Sequence, residues 1–232
     1  MLAVISNIIQ ETEVVRRIEL EIHSLQKFDF IPGQFVVITF PNLPEGDNER
    51  SYSISSPPGL TNKFELCIVL KPDGGGTQYL WTLGIGDQLE ISEAKGAFIL
   101  PEKIETDIAF ICTGTGIAPF RSMLVHIFEN KIEHKDIYLV FGNRFEKDIL
   151  YKSEFESMSR NFDTFHFIPV LSRQEGWTGE KGYVHALYET LFSDQREARF
   201  FVCGWEAMCK EARHRLKAMG YNRRQYFFEE YG

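Results

Sequence analysis

The sequence contains no long hydrophobic run and no regular cysteine pattern. No apolar stretch approaches the roughly 18 residues that a transmembrane helix requires, and the first residues carry no basic segment that would mark a signal peptide. The four cysteines form no CxxC pair, so the usual ligand spacings of zinc and iron–sulfur sites are absent. We therefore expect a cytoplasmic protein without a bound metal, in which any redox chemistry depends on an organic cofactor or a partner.

Basic residues are outnumbered by acidic ones. The 25 Lys and Arg residues face 33 Asp and Glu residues, which gives a net charge of -8. An acidic surface repels phosphate backbones and anionic lipids, so we expect no binding of nucleic acid or membrane. With 232 residues, 44% of them apolar and 14% aromatic, the chain has enough apolar material for two domains of ordinary size.

The first hundred residues have the pattern of antiparallel strands. Apolar residues alternate with polar ones between Pro and Gly turns, which is typical of a barrel or sandwich. The strand segments are residues 15–22, 35–40 (FVVITF), 51–55 (SYSIS) and 63–70 (KFELCIVL). One short helix is predicted around residues 78–83, after the glycine run at 74–76. This part of the chain is therefore predicted to be an all-β domain.

From Asp107 onward the pattern changes to strands that alternate with helices, which indicates a doubly wound α/β sheet. The strand segments are residues 107–112, 137–141, 165–171, 198–203 and 225–229. A helix with one apolar face is predicted after the first strand, and another over residues 205–219, where Gly220 provides the stop. The pattern predicts a β-barrel followed by a nucleotide-binding type of α/β domain, divided near residue 102.

A glycine-rich turn lies where the first strand of this second domain becomes a helix, in CTGTGIAPFRSML at residues 112–124. Gly114 and Gly116 permit a tight turn and a close approach of backbone amides to a pyrophosphate, and the helix N-terminus adds a favourable dipole. Pro119 stands where the GxGxxG pattern has its third small residue. A plain turn with two glycines is the alternative interpretation.

The segment RSYSIS, residues 50–55, combines a guanidinium, an aromatic ring and hydroxyl groups on one strand. Arginine binds phosphate with two parallel hydrogen bonds, and tyrosine stacks on flat rings, so one ligand with both features suits this strand. An exposed strand edge is the alternative.

Seven ordered motifs together resemble the ferredoxin–NADP reductase superfamily of flavoenzymes. They are RSYSIS, DGGGTQYL, TGTGIAPFRSM, VFGNR, VLSR, FVCG with a following Met, and the tail FEEYG. The resemblance implies a flavin-binding antiparallel β-barrel at residues 1–101, followed by an NAD(P)-binding α/β domain with a five-stranded parallel sheet at residues 102–232. It also implies a flavoprotein reductase that uses NAD(P)H.

The resemblance assigns roles to residues of the barrel. It implies that Arg50 binds a flavin phosphate, that Tyr52 stacks on the isoalloxazine ring and that the Ser53 hydroxyl lies near flavin N5. The pyrophosphate cradle would comprise Gly75, Gly76 and Thr77, which favours FAD over FMN because only a dinucleotide carries a diphosphate there. A glycine-rich structural turn is the alternative for this last segment.

In the second domain the resemblance implies that Thr113, Gly114, Thr115 and Gly116 contact the nicotinamide half and the pyrophosphate of NAD(P)H. Cys203 and Gly204 would lie beside the nicotinamide, with Glu229 as the nearby acid. Tyr231 corresponds to the terminal aromatic residue that covers the flavin in this superfamily, and Gly232 follows it here. Ser53, Cys203, Glu229 and Tyr231 are thus the expected catalytic residues.

The choice between NADPH and NADH should depend on the ends of the second and third strands. The second strand ends in FGNR, with Asn143 and Arg144 but without the acid that binds a ribose 2′-hydroxyl. Ser172 and Arg173 end the third strand and resemble the 2′-phosphate site of NADPH-using members. Related NADH-using reductases also carry Ser-Arg before a segment like WTGEKGYV, so NADPH is favoured and NADH stays open.

We expect a monomeric enzyme that takes hydride from NAD(P)H onto FAD and passes electrons singly to a separate carrier, ferredoxin or flavodoxin. The alternatives are an NADH-dependent reductase component of an oxygenase, a reductase of free flavin, and a non-catalytic flavin-binding subunit. A basic face on the last predicted helix and its exit is a candidate docking surface for an acidic carrier, with a solvated helix face as the alternative. Its residues are Lys210, Arg213, Arg215, Lys217, Arg223 and Arg224.

Overall fold

The computed structural model describes residues 1–231, and Gly232 lies outside the described residues. By its internal contacts the chain divides into two units, Met1–Leu100 with Ala118–Lys131, and Pro101–Ile117 with Ile132–Gly232. The helix that follows the glycine-rich turn thus packs with the first unit, although it is separated from the rest of that unit in sequence. Among the described residues, every helix is too short or too polar to span a bilayer.

The first unit contains an antiparallel sheet, which confirms the predicted barrel. Its helices and strands are β1 (Leu2–Thr12), β2 (Val15–Glu21), β3 (Phe35–Thr39), β4 (Glu49–Ser53), β5 (Lys63–Val69), α1 (Gly75–Thr82), β6 (Gln88–Ile91) and α2 (Ala118–Glu129). The strand order is β4-β3-β6-β1-β2-β5, and a bridge between Ile54 and Leu66 joins the two ends of the sheet. The interior is filled by side chains that point inward from alternate positions, among them Ile5, Leu20 and Phe40.

The second unit contains a parallel sheet with helices. Its regular elements are β7 (Asp107–Thr113), β8 (Ile137–Asn143), α3 (Lys152–Asn161), β9 (Phe165–Leu171), β10 (Glu180–Lys181), α4 (Val184–Leu191), β11 (Ala198–Trp205), α5 (Glu206–Ala218) and β12 (Tyr226–Tyr231). The order is β10-β9-β8-β7-β11-β12. Residues 108–112 of β7 are all buried, as expected for a parallel strand covered on both faces.

The predicted fold class is confirmed, with one difference in strand number. The five predicted parallel strands are present, and the two-residue strand β10 adds a sixth at the edge beside β9. Both residues of β10 are exposed, so it has no apolar pattern by which sequence periodicity detects a strand. Its pairing nevertheless fixes the segment that leads into α4.

Candidate functional site

Strand β4 carries the RSYS segment at one end of the barrel sheet. Arg50 lies opposite Ile38 of β3, and Tyr52 lies opposite Val36, so their side chains project from the same face of the strand. The Arg50 side chain is 43% exposed and donates hydrogen bonds to the Asp47 carboxylate and to the Glu49 carbonyl oxygen, at 3.1 and 2.7 Å. The guanidinium is thus oriented by Asp47 and Glu49, and its exposed part is open to an anionic ligand.

Tyr52 is half-buried, and its ring meets the edge of Phe40 with centroids 6.4 Å apart. Burial raises the pKa of Tyr52 to about 12, against a smaller opposing effect of the Arg50 charge. The ring is therefore uncharged at neutral pH and suited to stacking on a flat ligand. Ser53 is 5% exposed and lies opposite Phe35 at the end of the strand.

Helix α1 begins in the glycine run, with Gly74 as the N-cap and without a side chain that caps its first amides. An added Cβ at Gly76 would lie 3.1 Å from the Phe40 ring, and one at Gly75 would lie 2.8 Å from Leu43 Cδ2. The Thr77 hydroxyl donates to the Gly74 carbonyl at 3.0 Å, which leaves the backbone amides of the first turn as the donors for a ligand. No acidic residue lies in that turn, so a diphosphate fits its positive end.

The glycine-rich turn of the second unit touches the end of β11. It forms a 3-10 turn over Gly114–Ile117, with Gly114 at φ +53°. A Cβ at Gly116 would lie 2.4 Å from the Cys203 carbonyl oxygen, and a Cβ at Gly204 would lie 2.6 Å from Thr113 Oγ1. Only glycine permits this backbone approach, so the glycines let the turn pack directly against the end of β11.

Two buried polar atoms at this edge have no hydrogen-bond partner among the described residues: Thr113 Oγ1 and Asn143 Nδ2. They lie at the carboxyl ends of β7 and β8, which pair side by side with Thr113 opposite Gly142. Buried polar atoms in folded proteins nearly always have a partner, so these two mark a place where a polar ligand or water completes the structure. The edge therefore fits a dinucleotide.

Cys203 lies directly opposite Glu229 across β11 and β12, and Trp205 lies opposite Tyr231. Burial raises the pKa of the Cys203 thiol well above its usual value; the Glu229 charge adds to this, and a hydrogen bond with Tyr231 opposes it. The thiol is therefore protonated and uncharged at neutral pH, and it is fully buried.

Two arginines project from the ends of β8 and β9. The Ser172 amide donates to the Asn143 carbonyl, and the Arg173 amide donates to the Arg144 carbonyl, both at 3.0 Å. Arg144 and Arg173 are exposed, and neither forms an ion pair within residues 1–231. This pair of unneutralised guanidinium groups suits a phosphate.

Lys181 is a third cation at this place that the sequence reasoning missed. In β10 it lies opposite Leu171, directly before Ser172, and the Gly182 amide donates to the Leu171 carbonyl at 3.0 Å. Tyr183 follows with 75% of its surface exposed. The sequence feature that could have identified Lys181 is the segment WTGEKGYV, which places a cation and an aromatic residue a few residues after Ser172 and Arg173.

Comparisons with known proteins agree with this geometry. Residues 3–99 match the oxidoreductase FAD-binding domain, and residues 110–214 match the oxidoreductase NAD-binding domain. Ferredoxin–NADP reductase B of Sorangium cellulosum is 32% identical, covering 94% of this chain and 91% of that protein. The chain belongs to the ferredoxin–NADP reductase superfamily. As in that superfamily, it is a flavoprotein reductase with FAD and a nicotinamide dinucleotide as cofactors, as predicted.

Two further proteins similar to this chain are informative. The toluate 1,2-dioxygenase electron transfer component of Pseudomonas putida is 27% identical over 99% of this chain, which spans 67% of that protein. The crystal structure of a ferredoxin–NADP⁺ reductase from Neisseria gonorrhoeae with bound FAD and NADP has a TM-score of 0.83 at 24% identity, covering 99% of this chain and 98% of that one. The second likeness shows the shared fold.

Three of the six residues of the basic face predicted on α5 and its exit form ion pairs with acidic neighbours among the described residues. Lys210 pairs with Glu206, Arg213 with Glu230 at 3.4 Å, and Arg215 with Glu189 and Glu211 at 2.9 and 2.6 Å. Arg223 and Arg224 precede β12 and so lie at the amino edge of the sheet, opposite the edge that carries Cys203. Lys217 is exposed and forms no ion pair among the described residues, and carrier docking on α5 stays a prediction.

Proposed function

We propose that the chain takes a hydride from NADPH onto FAD and passes electrons singly to a separate carrier protein, ferredoxin or flavodoxin. The observation that carries the choice of NADPH is the exposed pair Arg144 and Arg173, without ion-pair partners in the described chain and with Lys181 nearby. These exposed cations suit a 2′-phosphate, and the second strand ends in FGNR, without the acid that binds a 2′-hydroxyl. The carrier is proposed from the ferredoxin–NADP reductase of Sorangium cellulosum, most of whose length this chain spans.

In this proposal the barrel residues bind and orient the flavin. Bound FAD supplies a ring that accepts a hydride and releases electrons one at a time. Arg50 binds a phosphate, the neutral Tyr52 ring stacks on the isoalloxazine, and the amides of Gly75, Gly76 and Thr77 hold the diphosphate. Ser53 donates a hydrogen bond near N5.

Residues of the second unit orient the donor. The turn Thr113–Gly116 holds the pyrophosphate and the nicotinamide half, and the protonated Cys203 thiol provides an uncharged contact for the nicotinamide. Glu229, opposite Cys203, accepts or donates a proton there. The role of Tyr231 as a flavin cover stays a prediction, and in this structure Tyr231 hydrogen-bonds to Cys203.

A second candidate function is the reductase component of an oxygenase, which the likeness to the toluate dioxygenase component favours. That function predicts an oxygenase or its iron–sulfur protein as acceptor and allows NADH as donor. A free-flavin reductase would instead lose FAD on desalting, and a non-catalytic subunit would keep FAD oxidised when NADPH is added anaerobically.

The test is a steady-state screen of NADPH and NADH against ferredoxin, flavodoxin, an oxygenase component and free FMN, preceded by anaerobic reduction of the holoenzyme. We expect rapid flavin bleaching, a preference for NADPH of about tenfold or more, and turnover with ferredoxin or flavodoxin. Turnover with NADH and only the oxygenase component would replace the proposal by the second candidate.

We also infer a cytoplasmic monomer. All four cysteines lie in the described chain, are buried and form no disulfide, which suits a reducing compartment. Light scattering of the holoenzyme tests the monomer, and a mass of twice 26.9 kDa would contradict it.

A further inference from the structure

The motif TGTGIAPFRSM contains a residue that does not serve the dinucleotide edge. Arg121 lies in α2, and its side chain, 14% exposed, donates to the Ser55 carbonyl at 3.0 Å and to Glu65 Oε1 at 3.3 Å. Ser55 and Glu65 belong to the barrel, in the unit in which α2 is packed. Phe120, the neighbour of Arg121, contacts Phe98 of the same unit with ring centroids 5.8 Å apart.

Each polar atom of Ser55 takes part in a hydrogen bond, and Ser55 lies two residues after Ser53, the last residue of β4. It is fully buried; its amide donates to the Glu65 carbonyl at 2.8 Å, and its hydroxyl donates to Glu65 Oε1 at 2.9 Å. Arg121 satisfies its carbonyl oxygen. Together with the Ile54–Leu66 bridge, these bonds fix the end of β4 where the barrel closes.

The charges around Glu65 form a short chain of alternating sign. Arg17 Nη1 lies 3.5 Å from Glu65 Oε2, and Arg17 Nε lies 2.9 Å from Glu11, with side-chain exposures between 15 and 20%. Removing Arg121 therefore removes one cation beside Glu65, which keeps the Ser55 hydroxyl and Arg17 as partners, and it removes the donor to the Ser55 carbonyl. A buried carbonyl without a donor favours displacement of the strand end.

We propose that Arg121 is a positioning residue for the flavin site: by holding Ser55 and Glu65 it fixes the end of β4 and thereby the Ser53 hydroxyl. The proposal rests on the proposed role of Ser53 near flavin N5. Ser53 lies two residues before Ser55, and its pairing with Phe35 is the last pair between β3 and β4. Movement of Ser55 is therefore transmitted along the backbone to Ser53. A misplacement of about 1 Å at a reacting centre slows a reaction by up to about a hundredfold.

The first readout uses the apoprotein, so that it does not depend on activity. Hydrogen exchange of the Ser55 amide is compared in wild type, Arg121→Gln, Arg121→Lys and the control Arg17→Gln, which loses a cation beside Glu65 but no bond to Ser55. We expect exchange at Ser55 to rise about tenfold in Arg121→Gln, less in Arg121→Lys, and by under about twofold in the control. Unchanged exchange in Arg121→Gln would overturn the proposal.

The second readout is a double-mutant cycle in the holoenzyme, with the limiting rate of anaerobic flavin reduction as the measurement. Arg121→Gln and Ser53→Ala should each slow reduction about tenfold, and Arg121→Gln should add less than about twofold in the Ser53→Ala background. Arg121→Lys should restore part of the rate and serves if Arg121→Gln folds poorly. Additive effects would show that Arg121 does not act through Ser53 and would overturn the proposal.

Failure of the underlying function has a different signature. A wild-type holoenzyme whose FAD is not reduced by NADPH or NADH contradicts the proposed reductase activity, whereas the Ser55 exchange result is unaffected. A normal rate in Ser53→Ala removes Ser53 from the mechanism, and this outcome overturns the route from Arg121 while leaving NADPH-driven reduction intact.

Discussion

Replacing Gly116 by alanine should separate donor binding from flavin binding. The new Cβ would lie 2.4 Å from the Cys203 carbonyl oxygen, 2.8 Å from its carbonyl carbon and 3.0 Å from the Gly204 amide nitrogen. All three are backbone atoms, so no side-chain rotation relieves the overlap. The turn or the end of β11 must shift, and both carry residues assigned to the dinucleotide.

Overpacking of this kind costs about 1–3 kcal/mol, which corresponds to a factor of about 5 to 150 in an equilibrium constant. We expect Gly116→Ala to raise the KM for NADPH and for NADH by similar factors in that range, because the turn contacts the part that the two donors share. FAD retention, measured by visible absorbance after desalting, should stay unchanged because the flavin residues belong to the barrel unit.

The matched control is Gly220→Ala, in the same unit. Gly220 has φ +96°, and the nearest atom to an added Cβ is Gln195 Nε2 at 3.8 Å, so the change strains the backbone without overlap. Its melting temperature should fall while donor kinetics stay normal. If Gly116→Ala kept a wild-type KM for both donors although the protein folded, the glycine-rich turn would not be the dinucleotide site.

Three other substitutions test the donor preference and the pH dependence of stability. In steady-state assays, Arg173→Ala should lower kcat/KM for NADPH by about thirtyfold, as expected for loss of a phosphate contact of about 2 kcal/mol, and should leave kcat/KM for NADH nearly unchanged. Equal losses of kcat/KM for the two donors would argue against a 2′-phosphate site. Because burial raises the pKa of Tyr52 to about 12, above its unfolded value, the stability from this group is present below pH 10 and is lost as the pH rises toward 12. Tyr52→Phe should reduce this loss of unfolding free energy between pH 10 and 12, measured by urea denaturation at each pH. An unchanged loss would show that it does not arise from Tyr52. Burial lowers the pKa of His185, so its contribution to the unfolding free energy is present above pH 6.5 and is lost as the pH falls. In His185→Gln the unfolding free energy should fall less steeply in acid than in wild type. An equal fall in both proteins would show that other groups cause it.

Local periodicity predicted most of the elements that have one strongly buried face. The strand predicted at 165–171 is β9 as observed, and the helix predicted at 205–219 is α5 at Glu206–Ala218. Elements with weak patterns were missed: α3 buries only Phe155 among its ten residues, and the polar residues Ser6, Asn7 and Gln10 interrupt the alternation of β1. Helix α4, with eight residues, was also missed.

Motif order located the candidate dinucleotide site because the motifs of the second unit lie at the ends of parallel strands, which bring their carboxyl ends to one edge. Thr113 and Asn143 reach that edge for this reason, as do Cys203 and the Ser172–Arg173 pair. The same reasoning could not show that Thr113 Oγ1 and Asn143 Nδ2 lack partners, because that depends on packing around them.

The sequence by itself determined the order of the two kinds of sheet, the glycines at turns and the residue types offered to a flavin and a dinucleotide, because these depend on local backbone geometry and spacing. Only the tertiary structure decided which cations form ion pairs, such as Lys210, Arg213 and Arg215 on α5, and which do not within residues 1–231, such as Arg144 and Arg173. It also decided that Arg121 contacts the barrel. Those properties depend on contacts between segments far apart in the chain, which no local pattern records.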